Sequence, residues 1–159
     1  MNRSTIIGII AIPLIIAGLI ALSRLQSTPS DTPGSLAVVG ESAYSFGSIS
    51  MQDGKVSRDF IIENTGENPV RIISMYTSCM CTEALLAVGS RRAGPFGMPG
   101  HTPLPPVNVD LEPGERGTVS VVFDPAAHGP AGVGTIARTV TIESDAGAVT
   151  LSFNATVMP

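Results

Sequence analysis

Val149, Leu151, Phe153, Ala155 and Val157 alternate with Thr150, Ser152, Asn154 and Thr156. A period of two puts the apolar side chains on one face of an extended chain and the polar ones on the other, which predicts a strand with one buried face. The same period recurs upstream. In residues 136–144, Val140 and Ile142 sit between Thr139, Thr141 and Glu143, and Asp145-Ala146-Gly147 supplies a tight turn, so the last two strands are expected to pair antiparallel. Arg116–Phe123 repeats the pattern with Val119, Val121 and Phe123 inward. It follows Glu112-Pro113-Gly114-Glu115, whose Pro and Gly suit the central positions of a type II turn.

Val56, Phe60 and Ile62 share one face of a further strand. Asn64-Thr65-Gly66-Glu67-Asn68-Pro69 interrupts it before residues 70–76 resume, and Leu36–Val39 and residues 44–49 add two shorter strands. Only Thr82–Val88 hints at helix, enough for one or two turns. Short alternating strands separated by Gly, Pro, Asn and Asp turns predict an all-β, immunoglobulin-like β-sandwich of about seven strands, with an open barrel as the weaker alternative. With 4% aromatic residues and no Trp, the core must be built from Val, Ile, Leu and a few Phe.

The chain of 159 residues has room for one such domain and an extension. The extension is marked by residues 6–22, which contain only Ile, Leu, Ala, Gly and Pro13, with Arg3 before and Arg24 after. This run sits at the short end of a spanning helix and slightly above a signal-peptide core. Residues 1–25 are therefore read as an N-terminal membrane anchor or signal segment, the uncleaved anchor being favoured. Arg3 is expected to stay in the cytoplasm, which places the rest of the chain across the membrane, periplasmic or at the cell surface, and secreted if the leader is cleaved. Residues 26–35, QSTPSDTPGS, read as a flexible linker, and residues 36–159 as the sandwich domain.

Beyond the first 25 residues, Lys55, Arg58, Arg71, Arg91, Arg92, Arg116 and Arg138 face all 13 acidic residues, a net charge of −6. That balance argues against nucleic acid as a partner, because phosphate binding needs clustered cations. There is no Gly-x-Ser-x-Gly elbow, phosphate-binding Gly loop or His-Glu-x-x-His helix, so the chain is not expected to be an enzyme.

Cys79-Met80-Cys81 is the one cysteine motif. In an extended strand the two sulfurs emerge on the same face, about 6.5 Å apart along the chain, and a direct disulfide between them needs a strained turn. Residues 83–110 then read as a long Gly- and Pro-rich loop that brings Met98 and His101. Thiolate, thioether and imidazole together suit Cu(I), and Cys with His suits Zn(II) second. Cys79, Cys81, Met98 and His101 are accordingly the candidate metal ligands. A redox or mixed-disulfide pair and thiols that serve packing alone stay open beside this reading. His128, in Asp124-Pro125-Ala126-Ala127-His128-Gly129-Pro130, reads as a loop histidine.

Phe46-Gly47, Phe60 with Asn64-Thr65-Gly66, Pro69, Ile72, Ser78-Cys79 to Cys81-Thr82, Pro113-Gly114-Glu115 and Phe123 with Gly129 resemble the domain of unknown function 1573 family. That resemblance implies a bacterial extracytoplasmic protein with an immunoglobulin-like fold. Met80 stands where the family usually has Gly, and the segment after Cys81 is longer than usual; both departures add sulfur or imidazole near the cysteines. The resulting expectation is a membrane-anchored, extracytoplasmic protein that binds a soft metal, copper before zinc. The alternative is a non-catalytic adhesive or scaffolding module for another envelope protein.

Overall fold

A computed structural model describes residues 34–159. The anchor segment 1–25 and nearly all of the 26–35 linker lie outside the described residues. No helix among the described residues is long and apolar enough to cross a membrane.

Among the described residues, ten strands form two five-stranded sheets. The first sheet runs in the order β1 (Leu36–Val39), β3 (Val56–Asn64), β8 (Arg116–Phe123), β5 (Thr82–Val88) and β6 (Arg91–Phe96). The second runs β2 (Ala43–Ser50), β10 (Gly147–Met158), β9 (Gly134–Ser144), β4 (Val70–Thr77) and β7 (Val109–Leu111). All neighbours pair antiparallel except β2 and β10, which are parallel. The β-sandwich expected from the alternating pattern is present, with ten strands where about seven were read.

The alternation works as expected. Leu151, Phe153, Ala155 and Val157 of β10 are buried, and they meet Phe60 and Ile62 of β3 and Val119, Val121 and Phe123 of β8 in one core fed by both sheets. Phe153 joins the layers, its ring centroid 5.3 Å from that of Phe123 and 5.4 Å from that of Phe46. The β9–β10 hairpin closes through Asp145 and Ala146, with Ser144 paired to Gly147. At the type II turn, the Glu115 N–H donates to the Glu112 carbonyl at 2.8 Å and Gly114 takes φ +74°.

Two readings are corrected. Thr82–Val88 is strand β5, not helical turns: Thr82, Ala84, Leu86 and Val88 are buried while Glu83 and Leu85 face out. Ala and Leu favour helix, but the slot between β8 and β6 offers ladders on both sides, and that tertiary context overrides a weak local preference. The loop read at 83–110 is also mostly strand. A two-residue turn at Gly89, with φ +55°, folds β6 back on β5, and β7 begins at Val109, so the irregular stretch shrinks to residues 97–108. Arg91–Phe96 looked like loop because it contains Gly94 and Pro95. It lies at a sheet edge, where a residue without an N–H leaves no central ladder bond unmade.

Asn64 explains one of the motifs that carry the family resemblance. Its side chain is fully buried, and its Nδ2 donates to the carbonyls of Asn68 at 2.8 Å and Leu111 at 2.9 Å while its Oδ1 accepts from the Gly66 N–H at 3.0 Å. One amide thus ties the β3–β4 turn to the end of β7. Asn64→Ala removes these bonds and strands a buried carbonyl, so a loss of about 2–3 kcal/mol is expected in urea unfolding. A loss below about 0.5 kcal/mol contradicts this role.

Candidate functional site

Strand β4 belongs to one sheet and β5 to the other, so residues 78–81 must cross the sandwich. They do so in a turn: the Thr82 N–H donates to the Cys79 carbonyl at 3.1 Å. The buried Thr77 hydroxyl lies 2.9 Å from the Cys79 carbonyl and 3.1 Å from that of Thr82, sharing its single proton between them. Cys79 and Cys81 are therefore not on an extended strand, as their spacing suggested. The turn draws the sulfurs together and aims the Cys81 N–H at Cys79 Sγ, 3.5 Å away. Both cysteines are free; Cys79 is half-buried and Cys81 is 3% exposed, part of the core.

Pairing of β5 with β8 sets what stands beside them. Thr82 is opposite Phe123, and one residue further the Asp124 N–H donates to the Cys81 carbonyl at 2.9 Å. Asp124 then caps the next turn, its Oδ1 accepting from the Ala126 N–H at 2.9 Å, and this leads the chain to His128. His128 Nε2 lies 3.1 Å from Cys79 Sγ. From β9, Arg138 donates from Nε to Cys81 Sγ at 3.3 Å. Cys81 and Met80 also line a cavity of about 150 Å³ whose charged lining is Lys55, Glu83 and Asp124.

Cys79 Sγ, Cys81 Sγ and a ring nitrogen of His128 all lie within 4.8 Å of one another. Among the described residues this is the three-donor group that forms, and His101 is not part of it. Met98 and His101 stand in the stretch after β6, where the His101 N–H donates to the Met98 carbonyl at 3.1 Å; the His101 side chain is exposed. His128, set aside from the sequence as a loop residue, is the imidazole that the fold delivers to the cysteines. Arg138 carried no signal in the sequence, being one charged residue within a strand.

The electrostatics separate the two thiols. Burial, the largest influence on Cys79, pushes its pKa up. The Cys81 thiol and N–H, the His128 ring and the Arg138 charge together outweigh burial and lower it from 9.0 to about 7. For Cys81, burial and then the neighbouring Cys79 raise the pKa above 9.0, although Arg138 and Thr82 pull the other way. Cys79 is thus the readier thiolate, the form that attacks electrophiles and binds metals.

Residues 38–89 match the family described as "Protein of unknown function (DUF1573)", a match that covers about a third of the chain. The match contains Phe46-Gly47, Asn64-Thr65-Gly66 and both cysteines, whereas Pro113-Gly114-Glu115, His128 and Arg138 lie beyond it. No curated protein matches the chain in sequence. Among solved structures, the chain is similar to a protein of unknown function from Porphyromonas gingivalis W83, with 15% identity, 82% of this chain and 50% of that one covered, and a TM-score of 0.58. It is also similar to a family 123 glycoside hydrolase from Clostridium perfringens, with 8% identity, 80% and 27% covered, and a TM-score of 0.51. The chain thus spans half or less of each, and likeness at these identities concerns the fold alone.

In the reduced, metal-free chain, alkylation of Cys79 by iodoacetamide is expected to rise with pH around a midpoint near 7, because a lowered pKa supplies thiolate at lower pH. Cys81 lags behind it, because burial and the neighbouring Cys79 raise its pKa, and Arg138→Gln shifts both curves upward. Peptide mapping by mass spectrometry reads the two sites separately; indistinguishable curves near pH 9 contradict the assignment.

Proposed function

We propose that this chain is a membrane-tethered, extracytoplasmic metal-binding protein in which Cys79, Cys81 and His128 hold one soft ion, Cu(I) in preference to Zn(II). The observation that carries this reading is the convergence of two sulfurs and one imidazole nitrogen within 4.8 Å. That span fits donors placed about 2.0–2.3 Å from a shared centre. Thiolate with imidazole is a ligand set suited to soft and borderline ions.

Charge favours the monovalent ion. Two thiolates, one monovalent cation and the Arg138 guanidinium, 3.3 Å from Cys81 Sγ, cancel, whereas a divalent ion leaves an excess positive charge beside a half-buried core. Zn(II) also calls for a fourth ligand that these three donors do not supply. The apolar run at residues 6–22 supports delivery across a membrane, and the acidic composition of the remainder suits a site for cations better than one for polyanions.

A second reading, a non-catalytic module that binds another envelope protein, is supported by β6 at a sheet edge and by Leu85, 39% exposed on the neighbouring strand. It concerns a different surface from the cysteine turn.

Anaerobic Cu(I) titration of the full chain against a colorimetric competitor chelator tests the metal reading. One equivalent is expected to bind. His128→Ala is expected to weaken affinity by about tenfold to a hundredfold, while His101→Ala and Met98→Leu leave it unchanged. Stoichiometric binding that persists in a Cys79→Ser, Cys81→Ser double variant contradicts the proposal.

A further inference from the structure

The chain contains two cysteines in all, so any disulfide within it joins Cys79 to Cys81. On a strand that bond is disfavoured, because alternate residues stand about 6.5 Å apart with side chains poorly directed for bridging. The turn changes this. Cys79 and Cys81 lie in a segment that belongs to no strand, their sulfurs are within 4.8 Å, and the bond closing the turn runs between the Cys79 carbonyl and the Thr82 N–H. Sulfurs within 4.8 Å in a turn still have to close to an S–S bond of about 2.05 Å, an approach that falls to χ1 rotation of the two side chains.

The two sulfurs are also unequally accessible. Cys79 is half-buried next to the exposed His128 ring and follows directly after the exposed Ser78, while Cys81 is 3% exposed behind it. An incoming reagent meets Cys79 first. Arg138 holds a positive charge 3.3 Å from Cys81 Sγ, where negative charge must gather when that sulfur acts as the second nucleophile.

We propose that Cys79 and Cys81 form a reversible thiol–disulfide couple, with Cys79 the attacking and Cys81 the resolving sulfur, that exchanges with low-molecular-weight disulfides. In the first step the Cys79 thiolate attacks one sulfur of the disulfide R–S–S–R. The S–S bond breaks, RS⁻ leaves with the bonding pair and takes a proton from solvent, and a mixed disulfide remains on Cys79. In the second step Cys81 gives up its proton and attacks the Cys79 sulfur, expelling the second RS⁻. The protein passes two electrons to the reagent, which ends as two thiols, and the protein ends with the Cys79–Cys81 bond. The couple goes beyond the metal reading: it uses the same sulfurs but needs no ion, and closing the bond removes both thiolate ligands.

The test equilibrates the full chain in detergent, with a strong chelator present, against mixtures of glutathione and glutathione disulfide. Acid quenching, alkylation and mass spectrometry then read the products. The expected product is a monomer lighter by two hydrogen atoms, with both thiols protected from alkylation, restored by excess glutathione. Cys81→Ser is expected to stop at a glutathione adduct on Cys79, and Cys79→Ser to form its adduct on Cys81 at least about tenfold more slowly. An unchanged circular dichroism melting curve shows that each variant is folded. Covalent dimers, a wild-type adduct on Cys81, or two freely alkylated thiols in mixtures that oxidise a reference dithiol peptide overturn the proposal. Because chelator is present throughout, failure here leaves the copper titration untouched, and failure of the titration leaves this result untouched.

Discussion

The crossing from β4 to β5 decides what the molecule can do. Buried backbone polar groups must be paired, and the turn at residues 78–81 is tied to both sheets by such bonds. The Ser78 N–H donates to the Thr139 carbonyl at 3.0 Å, Ser78 Oγ accepts from the Thr139 N–H at 2.9 Å, and the Cys81 carbonyl accepts from Asp124. Thr77, 1% exposed, holds the inside of the turn with its hydroxyl. With the turn fixed from both sheets, the close approach of the two sulfurs is a property of the fold and not of two free side chains.

The chemistry follows from a competition that burial alone does not win. Moving a thiolate out of water is costly, and for both cysteines desolvation is the largest single effect. At Cys79 the surrounding donors and the Arg138 charge reverse it; at Cys81, deeper in the core, they do not. The outcome is an asymmetric pair at one end of a rigid sandwich, flanked by an imidazole. The proposed soft-metal ligation and disulfide exchange would both use this pair, and each would exclude the other while it lasts.

Much of the fold was legible because its strands carry strict alternation and its turns carry residues with one conformational purpose. Arg116–Phe123 was read to the residue, and the Pro113-Gly114 turn was read by type. β5 was not legible, since Ala84, Leu85, Leu86 and Ala87 suit a helix as well as a strand and only their neighbours decide. β6 hid behind Pro95 and β7 behind its brevity. Within the site the cysteines were evident, but their turn was not. His128 could not be assigned to them without knowing that β8 lies against β5, because 47 residues of sequence separate it from Cys81 and only the sheet order brings Asp124 beside that residue. His101 looked nearer along the chain, yet β6 lies on the far side of β5 from β8 and carries the chain away from His128.

The most direct measurement is a high-resolution crystal structure of the reduced, metal-free chain at the Cys79 turn. The expected result is a turn closed from the Cys79 carbonyl to the Thr82 N–H, with His128 Nε2 close to 3.1 Å from Cys79 Sγ and Arg138 Nε near 3.3 Å from Cys81 Sγ. An extended Cys79-Met80-Cys81 segment, with its sulfurs about 6.5 Å or more apart and the imidazole turned to solvent, contradicts it.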